Sequence, residues 1–422
     1  MGVGASAGGL EALRTLVTNL KGLKHSSVII AQHLSPQHRS MLVDLIGRET
    51  PLRVKEVESG ESPAPDTIYI TPPNTDVFLQ HDRLTLRKPS SKVGPKPSID
   101  LFFRSLAEGA GERAIGIILS GTGTDGSEGI KAIKGAGGMT MAQEPETAKY
   151  DGMPLAAVHT GMIDVLGGPE QLADALNRLG PLSDGFASTL KGSKSNDPYA
   201  MILSKIKAET NIDFMQYKPN TVRRRLQRRM VANRIETLEK YLEFLDRHPQ
   251  EIQTLFQDIV ISVTSFFRDP AAFKDLEKQI RRALKGNGYK DNCFRVWVPG
   301  CATGEEAYTI AMLLCENRDV APSSLKIQVF ATDVSEPALA TARRGCYPEA
   351  ALANVPPKFL QKYFTKVDKA FQVKKGIRDM VVFARQNLLT DPPFLKLDLI
   401  SCRNVFIYFN QEAQDKVFKT FH

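Results

Sequence analysis

The chain has 422 residues, 42% of them apolar and 24% charged, with a formal net charge of +8 at pH 7. That length and balance exclude a disordered or fibrous chain and predict two or three domains, each large enough to bury its own core. No apolar run approaches the ~18 residues of a membrane span and no basic-then-apolar leader precedes the first motif, so the expectation is a cytoplasmic chain that is not itself a membrane protein. Five cysteines, Cys293, Cys301, Cys315, Cys346 and Cys402, are odd in number and show no CxxC pairing, which argues against a disulfide framework and against a metal site.

The first motif is Gly4-Ala5-Ser6-Ala7-Gly8-Gly9, followed by a helical stripe of Leu10, Leu13, Leu16, Val17 and Leu20. A serine in a glycine-rich turn ahead of a helix fits a nucleophile elbow, although loops of this kind also bind phosphate or simply pack tightly. Only three residues precede Gly4, which leaves no room for a strand to present the serine; the expectation is a truncated start or a weakly anchored elbow. Strands are predicted at 27–31, 67–71, 114–120, 138–142 and 162–165, with helices between most of them. This βα alternation over residues 1–180 predicts a doubly wound, mostly parallel sheet with its site beyond the strands' carboxyl ends. His33, just after the strand 27–31, could take a proton from Ser6, and Asp125, in the loop 121–126, could orient the imidazole. The order Ser, His, Asp differs from the Ser, Asp, His order of α/β-hydrolases.

Residues 181–197 are small and polar and read as a linker. Residues 198–285 have helical patterning and predict a small all-helical module. Within it Arg223, Arg224, Arg225, Arg228, Arg229 and Arg234 accompany an apolar stripe of Val222, Leu226, Met230 and Val231, so the cations are expected to ring the exposed side. An all-basic face suggests an acidic partner. Nucleic acid is disfavoured, because no aromatics interleave with the arginines as a stacking surface requires.

From 286 to 422 the βα pattern returns, with strands predicted at 294–298, 326–332, 380–384 and 397–402. The chain stops soon after the last of these, so a C-terminal truncation of the second α/β domain is expected. The loop Gly300-Cys301-Ala302-Thr303-Gly304-Glu305-Glu306 follows the first strand and precedes a helix, without the GKS/T ending of a P-loop, and Asp333 ends the second strand. Together they favour an adenine-containing ligand whose ribose Asp333 could bind, with NAD and S-adenosylmethionine equally open on these features.

Four motifs of the first domain, GASAGG, QHLSPQH, LSGTGTDG and AQEPETAKYDGMP, resemble chemotaxis receptor methylesterases of the CheB type. The resemblance implies a Ser6, His33, Asp125 triad that hydrolyses glutamate methyl esters on a chemoreceptor. Thr122 stands where that family commonly has methionine, and Ala7 replaces a usual threonine. Downstream, YKPNTVRRRLQRRM, VTSFFRD, RQNL and SCRNVFIYF resemble the glutamate methyltransferases of the CheR type. That resemblance favours S-adenosylmethionine and implies cofactor contacts from Thr264, Arg268, Glu305 or Glu306, Asp333, Asn387, Leu388, Cys402 and Arg403, with Tyr408 beside the reacting centre and Arg268 also orienting the acceptor. Ser262 replaces an asparagine contact of some relatives. The helical module would contact the receptor. The reading is thus a bifunctional signalling enzyme; the alternatives are a scaffold whose esterase half only binds, and a nucleic-acid methyltransferase.

Overall fold

The computed structural model describes the chain except residues 24–25, 34–40, 90–95, 189–196, 261–262, 287–291 and 369, and except the side chains of residues 180–188 and 350. Ser262 and the Ser35-Pro36 pair therefore lie outside the described residues. The chain forms two compact units: residues 1–205 with 220–255, and residues 206–219 with 256–422.

The first unit runs β1 (Gly2–Ala5), α1 (Gly9–Thr18), β2 (Ser27–Gln32), α2 (Leu42–Gly47), β3 (Arg53–Glu56) and β4 (Thr67–Ile70). A hairpin follows, β5 (Asp76–Gln80) and β6 (Arg83–Arg87), then α3 (Ile99–Ala110), β7 (Ile115–Ile118), α4 (Ser127–Gly135), β8 (Met139–Gln143), α5 (Gly152–His159), β9 (Val165–Gly167) and α6 (Pro169–Ser188). Seven strands make one parallel sheet in the order β3-β4-β2-β1-β7-β8-β9. A strand does precede the serine, contrary to the expectation from sequence, and it is central to the sheet. Gly2 and Gly4 hide it from a propensity reading, and packing explains them: a Cβ at Gly2 would sit 2.8 Å from the Phe102 ring, and one at Gly4 2.5 Å from Ile99. Helix α3 lies directly on β1, so small residues are needed there. Because β1 has β2 on one side and β7 on the other, strand order reverses at this strand, the place where a crevice opens at the carboxyl ends of a parallel sheet.

Helix α6 continues through Gly180-Pro181 to Ser188, so the stretch expected to be a linker begins as helix. The helical region comprises α7 (Pro198–Thr210), α8 (Pro219–Ala232), α9 (Leu238–Arg247), α10 (Gln250–Ile259) and α11 (Pro270–Leu284). By packing, residues 220–255 of this region group with the first unit and residues 206–219 and 256–284 with the second.

The second unit continues with β10 (Cys293–Pro299), α12 (Glu305–Glu316), β11 (Lys326–Asp333), α13 (Glu336–Arg344), β12 (Cys346–Pro348), α14 (Pro357–Tyr363), β13 (Phe364–Val367), β14 (Ala370–Val373), α15 (Lys375–Arg378), β15 (Val381–Arg385), β16 (Leu399–Ile400) and α16 (Gln411–Phe421). Its parallel sheet has the order β15-β11-β10-β16, and β12, β14 and β13 form a small antiparallel sheet that the sequence reading missed. Helix α12 is almost wholly buried, carrying Tyr308, Ile310, Met312 and Leu314 into a core with Phe294, Val296 and Val329. Phe266 and Phe267 belong to the same core.

Two candidate active sites

In the first unit, β1 pairs in register with β2, Ala5 opposite Gln32, so Ser6 and His33 are the next residues beyond the carboxyl ends of two adjacent strands. The His33 N–H donates to the Ala5 carbonyl at 2.9 Å and the Ser6 N–H to the Ser120 carbonyl at 3.0 Å, which fixes the serine between the two flanking loops. Asp125 arrives from the loop after β7. Its Oδ2 lies 3.0 Å from His33 Nε2. The same carboxylate accepts the N–H of Ile99 at 2.9 Å and of Asp100 at 3.0 Å, the first two residues of α3. Burial pushes the Asp125 carboxyl up, but the His33 hydrogen bond and the two backbone donors outweigh it and hold its pKa below the ordinary aspartate value. A carboxylate kept ionised beside an imidazole is suited to orienting the ring and stabilising its protonated form.

Several residues around Ser6 escaped the sequence reading. Gln32 is buried and its Nε2 donates to the Ser6 carbonyl at 2.7 Å. The Ser120 hydroxyl donates to Ala7 O at 2.9 Å and accepts from Tyr150 N at 3.0 Å. Gly121 must be small because a Cβ there would lie 2.8 Å from Ser6 Cβ and collide with Met153 Sδ. A buried polar residue ending a strand, as in Ala31-Gln32 and Leu119-Ser120, was the available signal. Thr122 is exposed. Gly8, at φ 69°, turns the chain into α1, and Ser6 stands just ahead of that helix's N-terminal N–H groups.

In the second unit a cavity opens at the carboxyl ends of β10 and β11. Thr264, Arg268, Glu306, Asp333, Asn387, Leu388, Arg403 and Tyr408 line it. Glu305 and Cys402 are not among its described lining residues. The buried Glu305 carboxylate accepts the Thr303 hydroxyl at 2.6 Å, and burial raises its pKa to about 7. Burial likewise raises the Cys402 thiol to about 12. Asp333 is not a helix cap: Ser335 fills that position, accepting from Ala338 N. The Asp333 carboxylate instead accepts the N–H groups of Ala302 (2.8 Å) and Ser335 (2.9 Å), pinning the glycine loop to β11. Burial pushes its pKa up against those two donors.

The loops bounding this cavity hold backbone conformations that L-residues rarely adopt: Phe267 (φ 51°), Asp269 (φ 60°), Ala302 (φ 48°) and Asn404 (φ 58°). Such clustering is characteristic of functional sites. Asp269, at the start of α11, makes no side-chain cap; its carboxylate pairs with Arg403, whose guanidinium also lies over the Phe273 ring at 4.8 Å. Glu306 accepts the Ser401 hydroxyl at 2.7 Å and lies 3.8 Å from Arg403. The residues fit an adenosyl sulfonium ligand: two carboxylates, Asp333 and Glu306, face the cavity beside the apolar Ile259, Val263 and Leu388, and Gly300 (φ 69°) leaves room where a Cβ would strike Val405.

Residues 1–176 match the CheB methylesterase family, residues 197–260 the all-alpha domain of CheR methyltransferase, and residues 262–422 the SAM-binding domain of CheR methyltransferase. Among relatives, a 104.1 kDa protein from the hypE 3' region of Rhodobacter capsulatus is 38% identical over 90% of this chain and 42% of its own length. The chemotaxis protein methyltransferase of Borreliella burgdorferi is 32% identical over 54% of this chain and 83% of its own length. A protein-glutamate methylesterase/protein-glutamine glutaminase of Geobacter sulfurreducens is 32% identical over 43% of this chain and 50% of its own length. The chain thus spans about half the length of the first and third of these relatives. Among the described residues no helix is long and apolar enough to cross a membrane. With the methylesterase model on the parallel sheet that carries Ser6 and the methyltransferase models on the helical region and the cavity-bearing sheet, the chain belongs to the chemotaxis methylation enzymes, as a CheB methylesterase domain fused to a CheR methyltransferase.

Proposed function

We propose that this chain both writes and erases methyl esters on glutamate side chains of a chemoreceptor's cytoplasmic helical bundle, in the cytoplasm. The observation that carries the esterase half is the 3.0 Å contact of His33 Nε2 with Asp125, with Ser6 level with His33 just past the end of the neighbouring strand. In this reading Ser6 Oγ attacks the ester carbonyl and His33 takes its proton. The oxyanion meets N–H groups at the start of α1 and in the loop 121–126. The imidazolium returns the proton to the leaving methanol, and water activated by His33 then hydrolyses the acyl-serine to regenerate the glutamate carboxylate.

For the methyltransferase half, bound S-adenosylmethionine supplies an electrophilic methyl group on a sulfonium leaving group. An acceptor glutamate, with an ordinary pKa near ~4.3, is already ionised at neutral pH, so the chain needs no general base and its work is positioning. Arg268 and Arg403 stand in the cavity wall as forks suited to carboxylates; we assign Arg268 to the acceptor and Tyr408 to the neighbourhood of the transferred methyl. Thr264, Glu306, Asp333, Asn387 and Leu388 would hold the donor. Helix α8 is the proposed receptor-docking element, supported by its five arginines between 223 and 229, with Arg234 just beyond its end.

The test is to incubate the protein with S-adenosylmethionine labelled in the methyl group and receptor fragments. Label should appear as base-labile carboxyl ester, and Ser6→Ala should slow ester hydrolysis by at least ~10⁴-fold with methyl transfer intact. Equal hydrolysis by Ser6→Ala and wild type would remove the esterase; absence of base-labile ester would remove the methyltransferase.

A further inference from the structure

The arginines of α8 do not ring an exposed face. Arg225 is 1% and Arg228 4% exposed, among the most buried polar residues of the chain. Within the first unit they meet a socket on the methylesterase domain, at the C-terminal end of α4. There the chain leaves the helix through Gly137 (φ 86°), with Gly137 N–H donating to Lys134 O at 3.0 Å and Gly138 N–H to Ile133 O at 2.8 Å. The end of a helix carries partial negative charge and favours cations. Arg228 donates to the Gly137 carbonyl and lies 3.8 Å from Asp164 Oδ2. A Cβ on Gly137 would lie 2.7 Å from Glu112 Cγ and 3.3 Å from Arg225 Nη2, so the glycine makes room for that guanidinium. Glu112 reaches across to accept the Thr221 hydroxyl at 2.6 Å and Arg224 Nη1 at 3.2 Å. Burial alone would raise the Asp164 carboxyl, yet Arg228 and Lys134 hold it below the ordinary value. The remaining cations are engaged as well: Arg229 makes a two-pronged bond to Glu251 (2.8 Å each), and Arg223 lies over the Tyr199 ring at 5.1 Å.

We propose that the methylesterase domain masks the docking face of α8: the socket formed by Glu112, Asp164 and the C-terminal turn of α4 holds the arginines that an acidic helical partner needs, so partner and socket compete. This rests on the reading of α8 as the receptor-docking element. Two properties make the contact displaceable. It is built from charged and polar pairs, as transient interfaces between domains are, and its outer pair, Arg224 with Glu112, is partly open to solvent at 38% and 30%. An acidic surface of several carboxylates would offer the same guanidinium groups alternative partners. Chain-linked docking of this kind would keep the methyltransferase from engaging receptor until a sufficiently acidic target displaces the esterase.

The experiment uses the full chain and a synthetic two-helix peptide bearing a glutamate on each turn of one face. Glu112→Lys sets a cation against Arg224 and should tighten peptide binding about fivefold, the factor that ~1 kcal/mol of lost competition gives. It should also speed amide exchange across 221–231, while ester hydrolysis stays unchanged as the check on folding. Arg224→Ala should weaken peptide binding. Unchanged affinity in Glu112→Lys, with Arg224→Ala still weakening it, overturns masking and leaves the docking role of α8 standing. Affinity indifferent to both substitutions removes the docking role itself, and masking with it.

Discussion

The two sites sit at equivalent places, the carboxyl ends of central parallel strands, yet they are built on opposite plans. Around Ser6 the polar groups are joined in a directed chain, from α3 N–H groups to Asp125 to His33, and glycines bring backbone against the nucleophile. At the second site the chain supplies a cavity, two carboxylates held by backbone and hydroxyl donors, and four strained residues. The difference follows the chemistry. An ester must be attacked by a group that first loses a proton, so the protein provides proton transfer; a sulfonium methyl meets an acceptor already ionised, so the protein provides geometry.

The largest effect that could break this comparison is Asp125→Asn. An amide cannot accept from Ile99, Asp100 and His33 as a carboxylate does, and one of its faces presents N–H₂ to donors. Loss of the imidazole's orientation should cut ester hydrolysis by ~10⁴-fold. Methyl transfer, measured on the same preparation, should be unchanged. A fall of less than tenfold would mean that His33 is not oriented through this contact and that the first site is no more directed than the second.

Glu305 sharpens the other side. Its pKa is raised to about 7 by burial, so the folded state holds a proton that the unfolded chain releases above ~4.3. Stability should therefore decline as pH rises from about 4.3 to about 7 and level off above it, by on the order of 3 kcal/mol. Glu305→Gln keeps an acceptor for Thr303 and removes the titration, so its melting curve should lose that slope and lie above wild type at pH 8. Equal slopes in the two proteins would contradict a protonated Glu305 in the fold.

What the sequence made legible follows from how each feature is encoded. His33 and Asp125 sit just past strands rich in Val, Ile and Leu, whose apolar runs announce themselves, so topology alone brought them together. Strand β1 could not be read, because its Gly2 and Gly4 answer to the close approach of α3 rather than to strand propensity. The α8 arginines misled for a related reason. A run of charge predicts solvent exposure, whereas Arg225 and Arg228 are buried, Arg228 against acceptors more than 60 residues away in the chain, Gly137 and Asp164. Glu305 and Glu306 are neighbours in one motif, and only the turn of α12 decides that the second faces the cavity.

The smallest effect tests whether the glycine loop of the second site is set by space or by backbone. Gly300 has φ 69°, and a Cβ there would run into the Val405 side chain. Gly300→Ala should cost about 2 kcal/mol, partly for the left-handed conformation and partly for overpacking. Val405→Ala in the same chain removes the collision and leaves the conformational part. The double variant should therefore recover about half of what Gly300→Ala loses beyond the cost of Val405→Ala alone, read from paired melting curves as a double-mutant cycle. Full additivity would mean that the loop moves aside to admit the methyl group, and that the cavity of the second site is a softer construction than the close-packed turn around Ser6.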